Sequence, residues 1–457
     1  MTALEVPDVA TELGERFAAA GYTLYVVGGV VRDLILGRFA DDRDIDFATD
    51  ATPAETVKVL RGWAERHYLV GATFGTVGAR KGGRLLEITT FREEIYREEH
   101  RKPVVTFSKE IETDLSRRDF TINAMAVSVP DGGFVDPFGG VKHLAAKVLD
   151  TPREPEAAFT DDPLRMLRAA RFVSQLEVVP ASRVIEAIVR MRSRLAIVSA
   201  ERISDELDKL LLGDAPGKGL EVVVGSGLAQ EFLPELPALA LEQDPVHKHK
   251  DVLRHTYAVV ERCERDRELR LAALFHDVGK PATREITPEG VQFHHHEVVG
   301  ARMARERLQA LRYPAHVIDD VCTLIELHLR FHGYGDGWSD SAVRRYVTDA
   351  GPLLDKLNQL TRADVTTRNP ERAKKFQALQ DDLEERIARL AEEENLQAIR
   401  PDLDGNEIMA HLGIPPGPLV GEAWNYLMEL RLDRGPLEKR EALRLLDEWA
   451  KEKGIGE

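Results

Sequence analysis

Hydrophobic and polar residues alternate along the first third of the chain and recur with a helical period along the rest. Up to about residue 150, short apolar segments such as YTLYVVGGVV, DIDFAT and LEITTF lie between glycine-rich turns, which predicts strands. Beyond that point, segments such as PLRMLRAARFVSQL place their apolar residues on one helical face. The pattern predicts an α+β fold, with a mixed β-sheet and helices first and all-α parts after it.

Changes in this pattern predict four domains. Residues 1–150 form an α+β head, 151–220 a helical neck, 221–370 a helical body and 371–457 a helical tail. A chain of 457 residues is too long for one hydrophobic core, so several compact units are expected.

Composition and charge exclude several classes of protein. Hydrophobic residues make up 43% of the chain and charged residues 31%, and no apolar run is long enough to span a bilayer, so we expect no membrane partner. The N-terminus lacks a signal-peptide pattern, and Cys263 and Cys322 lack metal-type spacing, which together predict a cytoplasmic protein.

Nucleic acid is expected to bind only locally. A net charge of −16 argues against a general nucleic-acid coat protein, because phosphate binding depends on cations. Seven arginines between Arg165 and Arg194, against Glu177 and Glu186, predict a basic stripe along which an RNA stem can lie. Arginines on such helices are also commonly solvated or paired.

Two aspartates in RDIDF indicate a metal site. Asp44 and Asp46 lie two residues apart on a predicted strand, so their side chains project on one face and their Cα atoms are about 6.5 Å apart. Such carboxylates repel each other unless a divalent cation binds, and hard oxygen ligands suit Mg²⁺. Glu87, in LEITTF, offers a third carboxylate on another strand. Taken alone, the pair of aspartates also fits a charged edge strand that discourages aggregation.

A glycine turn upstream favours the metal site. Gly28 and Gly29 end an apolar strand and begin a short helix whose N–H groups can cradle a triphosphate, with Arg32 as an added cation. Phosphates on the turn and metals on the carboxylates indicate nucleotidyl transfer, in which a hydroxyl displaces pyrophosphate.

The segment RRDFTINAMAV contains groups that suit a nucleotide. Arg117 and Arg118 offer forked donors for phosphate, Asp119 offers an acceptor for a ribose hydroxyl, and Asn123 can serve either purpose. A salt-bridged helix start explains this segment equally well.

The segment DDPLR contains a pair that can select a base. Asp162 and Arg165 are three residues apart, so on a helix they share a face and present an acceptor beside a donor fork. Cytosine and adenine match that pattern, whereas uracil and guanine present the reverse and leave buried partners unsatisfied. An ordinary ion pair on the helix is the alternative.

Histidines and aspartates in the C-terminal half indicate a second metal site. Apart from a histidine at a loop edge, they lie on predicted helices, and a mixed His/Asp set in a helical bundle suits Mn²⁺, Fe²⁺, Ni²⁺ or Co²⁺. The residues are His255, His276, Asp277, His296, His328 and Asp364.

The motifs of the first half resemble a known family. GGVVRDLILGR…DRDIDFATDATP, LEITTFR, RRDFTINAMAV, DPFGG, DDPLRMLRAARF and SAERISDEL resemble, in order and spacing, those of class II tRNA nucleotidyltransferases, the CCA-adding enzymes and their bacterial poly(A) polymerase relatives. The resemblance implies that Asp44, Asp46 and Glu87 are the catalytic residues: the two aspartates bind two Mg²⁺ ions, and Glu87 shapes the acidic site and activates the primer hydroxyl. Asp161 stands where the family usually has glutamate. The nucleotide-binding residues that it implies are Gly28, Gly29, Arg32, Arg117, Arg118, Asp119, Asn123, Asp162, Arg165 and Arg168.

The second set resembles the HD phosphohydrolase superfamily. The resemblance implies that His255, His276, Asp277 and Asp364 are core metal ligands, with His296 and His328 as the extra ligands of dinuclear members. His294 and His295 compete with His296 for its role. The module is expected either to hydrolyse cyclic phosphates or phosphomonoesters, or to serve only as an arm that holds tRNA.

The first resemblance implies untemplated addition of C, C and A to tRNA 3′ ends from CTP and ATP, and we expect no stable protein partner. A poly(A) polymerase of the same family is one alternative. An HD phosphohydrolase with an RNA-binding head is the alternative from another class. The charged segment FREEIYREEHRKPVVTF resembles the loop with which CCA-adding members switch from C to A, which argues against a CC-only enzyme.

Overall fold

The computed structural model describes residues 4–40, 44–69, 75–95, 104–241, 251–287, 290–366, 369–394 and 400–455. It divides into two compact units, Met1–Pro234 and Glu235–Glu457. Most strands belong to the first unit and the second is largely helical, which confirms the predicted α+β class. Among the described residues, we find no helix with the length and apolar character needed to cross a membrane.

The first unit is built on a mixed sheet. Its strands in the order β3-β4-β5-β2-β1-β8-β9 form one seven-stranded sheet, and β6 pairs with β7 and β10 with β11. The strands are β1 (Leu24–Val27), β2 (Ile45–Thr49), β3 (Arg66–Tyr68), β4 (Thr76–Lys81), β5 (Arg84–Thr90), β6 (Arg92–Ile95), β7 (Val104–Phe107), β8 (Ala126–Val129), β9 (Phe134–Val135), β10 (Val148–Leu149) and β11 (Val179–Pro180).

The helices of the first unit flank this sheet and continue into the neck. They are α1 (Asp8–Ala19), α2 (Gly29–Ile35), α3 (Pro53–Leu60), α4 (Ile111–Ser116), α5 (Gly140–Ala145), α6 (Pro155–Asp161), α7 (Leu164–Leu176), α8 (Ser182–Met191), α9 (Ala200–Leu211), α10 (Pro216–Gly225) and α11 (Ala229–Phe232). Local signals set several boundaries; for example, Thr52 and Glu55 form a reciprocal capping box that begins α3.

Alternation along the strands produces the core of the head. Ile45 and Phe47 of β2 are almost completely buried, whereas Asp46 between them is exposed. The buried face packs with Phe17 of α1 and Ile88 of β5. The same alternation therefore builds the core on one face and leaves the acidic residues on the other.

The second unit consists of helices and one β-hairpin. The helices are α12 (Val252–Arg262), α13 (Arg267–Phe275), α14 (Lys280–Thr283), α15 (His296–Ala310), α16 (Ala315–Leu327), α17 (Asp340–Ala350), α18 (Leu354–Asp364), α19 (Pro370–Glu394), α20 (Gly405–Leu412), α21 (Pro418–Arg434) and α22 (Lys439–Glu452). The hairpin joins β12 (Arg284–Thr287) to β13 (Gly290–Phe293), where the sequence pattern indicates only a loop. The tail has its own small core, which includes Ile408, Leu427 and Trp449.

A close approach between α1 and β8 provides a test of this packing. A Cβ atom added at Gly14 would lie 2.6 Å from the backbone carbonyl carbon of Val129, so backbone would have to move. We expect Gly14→Ala to lower the free energy of unfolding by about 1–3 kcal/mol, measured by chemical denaturation. Gly225→Ala, at the end of α10, is the control because its added Cβ meets no atom within 4 Å. Equal stability of both variants and the wild type would contradict the packing.

Candidate active sites

Neighbouring strand positions bring the three acidic residues of the head together. Asp46 of β2 is in parallel register with Glu87 of β5, and Asp44 directly precedes β2, with Oδ1 accepting a hydrogen bond from the Leu85 N–H at 3.3 Å. Partial removal from water raises the pKa of Asp46, an effect that Arg118 opposes and Asp44 reinforces. Removal from water, then Asp46 and Asp44, likewise raise the pKa of Glu87. The carboxylates thus repel each other, as the sequence predicts.

These carboxylates fit a metal ion whose remaining ligands come from substrate and water. Within the described ranges, the groups of three ligand atoms that lie within 4.8 Å of one another both belong to the second unit. The head therefore offers open carboxylates on a strand rather than a closed cage, which suits Mg²⁺ because that ion keeps waters and phosphate oxygens as ligands.

The glycine turn lies against the acidic residues. Gly28 has a φ of 76° and caps the N-terminus of α2, a backbone conformation that favours glycine. A Cβ atom at this position would lie 3.1 Å from Nη1 of Arg118 and 3.8 Å from Oδ2 of Asp46. Gly28 therefore leaves the space in which phosphate can approach both a cation and the carboxylates.

One cavity of about 290 Å³ gathers most of the predicted nucleotide-binding residues. The residues that line it are Gly28, Gly29, Asp46, Arg118, Asp119, Asn123, Asp162, Arg165, Arg168 and Arg202. Arg202, which the sequence analysis does not single out, belongs to the motif SAERISDEL. Arg32 and Arg117 lie outside the lining; Arg32 donates to Oδ1 of Asn123 at 2.8 Å and so supports the wall from behind.

The two arginines of RRDFTINAMAV are tied to a buried carboxylate. Asp114 of α4 is completely buried and accepts hydrogen bonds from Arg117 at 2.8 Å and from Arg118 at 3.0 Å. Although burial opposes it, the two guanidinium groups lower the pKa of Asp114. For Arg117 this geometry matches the salt-bridged alternative, whereas Arg118 also reaches the cavity.

Asp119 is engaged by the protein itself. Its Oδ1 accepts from the Phe120 N–H at 2.8 Å and from Nδ2 of Asn123 at 3.0 Å, and its Oδ2 accepts from Nε and Nη2 of Arg168 at 3.0 and 2.5 Å. Burial opposes ionisation, but Arg168 lowers the pKa of Asp119. These bonds occupy the acceptor positions predicted for a ribose hydroxyl, so Asp119 orients Arg168 and Asn123 in this structure.

Asp162 and Arg165 line the same cavity, but they do not share a helix. Asp162 follows α6 in an extended conformation, with φ −146° and ψ 103°, and Pro163 separates it from α7. The predicted common helical face is therefore wrong, because proline restricts the preceding residue to extended backbone. Oδ2 of Asp162 accepts from Arg202 at 2.7 Å, and Nη2 of Arg165 donates to the Arg117 carbonyl at 2.6 Å.

The residue before Asp162 also has a partner. Asp161 pairs with Arg153, whose Nε donates to the Ser116 carbonyl at 3.2 Å. The shorter acid at this position is therefore supported by the protein.

Much of the predicted basic stripe is neutralised. Arg183 donates to Asp150 at 2.9 Å, Arg190 pairs with Glu156, and Arg192 lies 3.8 Å from Glu231. Arg168 and Arg171 both contact the buried Glu206, at 3.2 and 3.1 Å. These positions follow the alternative in which the arginines are paired, because acids that lie outside residues 165–194 in the sequence contact them.

The second predicted set converges on a buried cluster within the second unit. Nε2 of His255 lies 2.9 Å from Oδ1 of Asp364 and 3.3 Å from Nε2 of His276. His276, Asp277 and His328 come directly after helix ends rather than within helices. The ligand atoms of His255, His276 and Asp277 lie within 4.8 Å of one another, as do those of Asp277, His296 and His328. Asp277 belongs to both groups, which suits a carboxylate shared by two metal ions.

Backbone carbonyls orient three of these imidazoles. Nδ1 of His276, His296 and His328 bonds the carbonyl oxygen three residues earlier, at 2.8, 2.9 and 2.6 Å. This contact leaves Nε2 available as a ligand atom. Nε2 of His296 and of His328 is buried without a hydrogen-bond partner among the described residues, and burial lowers the pKa of His328 to about 3. Buried imidazoles with unsatisfied Nε2 atoms fit a transition metal.

The exposure of three consecutive histidines shows which of them belongs to the cluster. His295 has 83% of its side chain exposed, and His294 bonds Gln292 at the surface. His296 is buried, so it is the histidine of this run that faces the cluster.

Cationic and aromatic residues surround the entrance to the cluster. The cavity beside it has a volume of about 220 Å³, and its lining includes Lys280, His332, Arg372 and Phe376. Lys280 donates to Asp277 at 2.7 Å, and the Arg372 guanidinium carbon lies 5.9 Å from the centre of the Phe376 ring. The spacing of these residues matches no metal-ligand pattern, so the sequence gives no signal for them.

Comparison with known proteins identifies three regions. Residues 24–150 match the poly A polymerase head domain, residues 174–239 match a probable RNA and SrmB-binding site of polymerase A, and residues 252–393 match the HD domain.

Individual relatives agree with these matches. A CCA-adding enzyme of Geobacillus sp. (strain WCH70) is 41% identical over 217 residues, which is 47% of this chain and 52% of the relative; the match thus spans about half the length of that protein. The solved structure of the Bacillus stearothermophilus CCA-adding enzyme in complex with CTP is similar, with a TM-score of 0.70 and 25% identity over 97% of this chain and 98% of that one.

One relative matches along nearly its whole length. The CC-adding tRNA nucleotidyltransferase of Thermus thermophilus is 33% identical over 447 residues, covering 93% of both chains. Together with the head cavity, this shared sequence shows that the chain belongs to the class II CCA-adding tRNA nucleotidyltransferase family.

Proposed function

We propose that the head adds C and A to tRNA 3′ ends from CTP and ATP, with release of pyrophosphate and without a nucleic-acid template. The observation that supports this proposal is the single cavity lined by the glycine turn, Asp46, Arg118 and the Asp162/Arg165 pair. The glycine turn and Arg118 suit the triphosphate, Asp46 suits the metal ion, and the Asp162/Arg165 pair suits the base. A poly(A) polymerase would use the same cavity, but the relatives described above are named for CCA or CC addition.

Asp44 and Asp46 are the proposed Mg²⁺ ligands. When bound, Mg²⁺ supplies activation of the tRNA hydroxyl and charge neutralisation at the leaving pyrophosphate. Glu87 increases the negative charge that holds the ion, and Arg118 offers a donor to a phosphate oxygen beside Gly28. The N–H groups that open α2 orient the triphosphate.

Base selection is the proposed role of Asp162 and Arg165. Asp162 accepts from the exocyclic amino group of C or A, and Arg165 donates to the adjacent ring nitrogen. With U or G both contacts are reversed, and each buried unsatisfied group costs about 1–3 kcal/mol. Arg168 and Asn123, held by Asp119, complete the proposed nucleotide contacts.

Addition of CC alone is a second candidate. The relative that matches 93% of the chain is named a CC-adding enzyme, which favours this candidate. The segment predicted to switch the enzyme from C to A covers residues 91–107, of which 96–103 lie outside the described residues. The two candidates share the whole cavity and differ only in the final A.

A substrate test separates these functions. We expect tRNA ending before CCA to gain two nucleotides with CTP alone and three with CTP and ATP together, measured on a sequencing gel. Arrest after two nucleotides with both NTPs, while tRNA ending in CC stays unextended by ATP, would support the CC-adding candidate. A long A tail would contradict both and indicate a poly(A) polymerase.

The acidic residues allow a direct test of the proposed chemistry. We expect Asp44→Ala to reduce nucleotide addition at least about a hundredfold because the metal loses a ligand. Single-turnover assays with CTP measure the effect, and an unchanged melting temperature controls for folding. Retention of most of the activity would contradict the role of Asp44.

We also propose that the HD cluster binds Mn²⁺, Fe²⁺, Ni²⁺ or Co²⁺ and hydrolyses a phosphate ester. The supporting observations are the two ligand groups that share Asp277 and the cations Lys280 and Arg372 at the same cavity, which suit an anionic substrate. When bound, the metal supplies Lewis-acid activation of water and phosphate. The alternative, in which this module only holds tRNA, requires neither buried unsatisfied imidazoles nor cations beside them.

The four-part division of the chain and its cytoplasmic location stay predictions.

Adjacent histidines provide a matched test of the metal site. We expect His296→Ala to weaken Mn²⁺ binding at least about tenfold, because a ligand is lost, whereas His295→Ala leaves it unchanged. Calorimetric titration with Mn²⁺ in an Asp44→Ala background isolates the HD site from the head. Nucleotide addition by His296→Ala in an otherwise wild-type chain should remain normal. Equal Mn²⁺ affinity for the two histidine variants would contradict the assignment.

A further inference from the structure

Arg202 contacts the base-selecting pair from outside the predicted set. It lies in the first turn of α9, lines the nucleotide cavity, and donates from Nη2 to Oδ2 of Asp162 at 2.7 Å. About half of its side chain is exposed, whereas the Asp162 side chain is 26% exposed. Because its partner is an acid at the cavity wall, this contact affects the group that faces the base.

Asp162 needs such a contact because no helix fixes it. Pro163 follows it, and the described contacts of its carboxylate are the Arg202 guanidinium on Oδ2 and the Leu164 N–H on Oδ1, at 3.2 Å. Arg165 is fixed differently, by donating to the carbonyl oxygens of Arg117 at 2.6 Å and Ala158 at 3.3 Å. Each member of the pair is therefore held by groups that are not part of the nucleotide.

Rejection of a wrong base requires that both members stay in place. Uracil presents a carbonyl where cytosine has an amino group, and an N–H where cytosine has a ring acceptor. Because Arg165 is anchored to main-chain oxygens, only Asp162 can respond to this change, and a mobile Asp162 can turn toward the N–H and satisfy it. A fixed Asp162 cannot make this move, and the uracil contacts stay unsatisfied.

We propose that Arg202 is a positioning residue that fixes the Asp162 carboxylate and thereby enforces discrimination against UTP. The proposal rests on the proposed function, since it concerns the base that the head selects. Oδ2 of Asp162 can still accept a second hydrogen bond from the nucleotide, because a carboxylate oxygen has two lone pairs. Arg202 thus limits the directions from which Asp162 can accept a hydrogen bond, but it leaves an acceptor position open for the base.

The test is the ratio of kcat/KM for CTP to that for UTP on tRNA ending before CCA. We expect Arg202→Ala to reduce this ratio by about tenfold, the loss of one enforced contact. Arg202→Lys keeps a cationic donor and should restore much of the ratio. Arg190→Ala is the matched control, because it removes the same charge from the neck at an exposed pair with Glu156, away from the cavity lining.

Three results would count against the proposal in distinguishable ways. An equal loss of kcat/KM for CTP and UTP in Arg202→Ala would overturn it, because a purely structural role affects both nucleotides alike. A similar change of the ratio in Arg190→Ala would overturn it as an effect of net charge. If the wild-type protein added neither nucleotide, the proposed function would fail, and the role of Arg202 with it.

Discussion

Buried carboxylates determine the arrangement of the first unit, because each requires a cation within hydrogen-bonding distance. Asp119 is held by Arg168, and Arg168 also contacts Glu206, which Arg171 shares. Burial and the nearby positive charge of Arg168 lower the pKa of Arg171 to about 10, because two guanidinium groups lie close together in a buried site. Leaving one such charge without its partner costs about 3–5 kcal/mol. The segment after α4 and the helices α7 and α9 are therefore bound into one charged core, and the cavity wall is its outer surface.

In the second unit, backbone carbonyl groups rather than charged side chains orient the functional groups. His276 and His328 are oriented by carbonyl oxygens three residues earlier, in the last turns of α13 and α16, where carbonyl groups lack intrahelical partners. These two helix ends therefore serve two purposes: a carbonyl group without an intrahelical partner gains a hydrogen bond, and Nε2 of His276 and of His328 is directed toward the cluster. The shared carboxylate of Asp277 then lies between the two ligand groups. The sites thus differ in rigidity: carboxylates in the head remain open, whereas the imidazoles in the second unit are fixed in advance.

The sequence predicts the chemistry of both sites better than their connections. Alternation around the buried Ile45 correctly places the acidic residues on the open face of the sheet. In contrast, the sequence does not show which of three consecutive histidines faces the cluster; the burial of His296 shows it. Local spacing places Asp162 on a helix with Arg165, whereas Pro163 ends the helix before that position. Pairs such as Arg202 with Asp162 join residues 40 positions apart, and no periodicity reveals them. Contacts formed by tertiary packing were thus the part that could not be predicted.

Asp162 and Arg165, the pair proposed to select the base, differ in how substitution can disturb them. Arg165 is anchored to main-chain oxygens of Arg117 and Ala158, which survive almost any exchange of those side chains. Besides the Leu164 N–H, the carboxylate of Asp162 is held by one side chain, the guanidinium group of Arg202, which a single codon change removes. Mutational drift in this lineage would therefore reach nucleotide preference through the acidic member, and the basic member is buffered by the backbone itself.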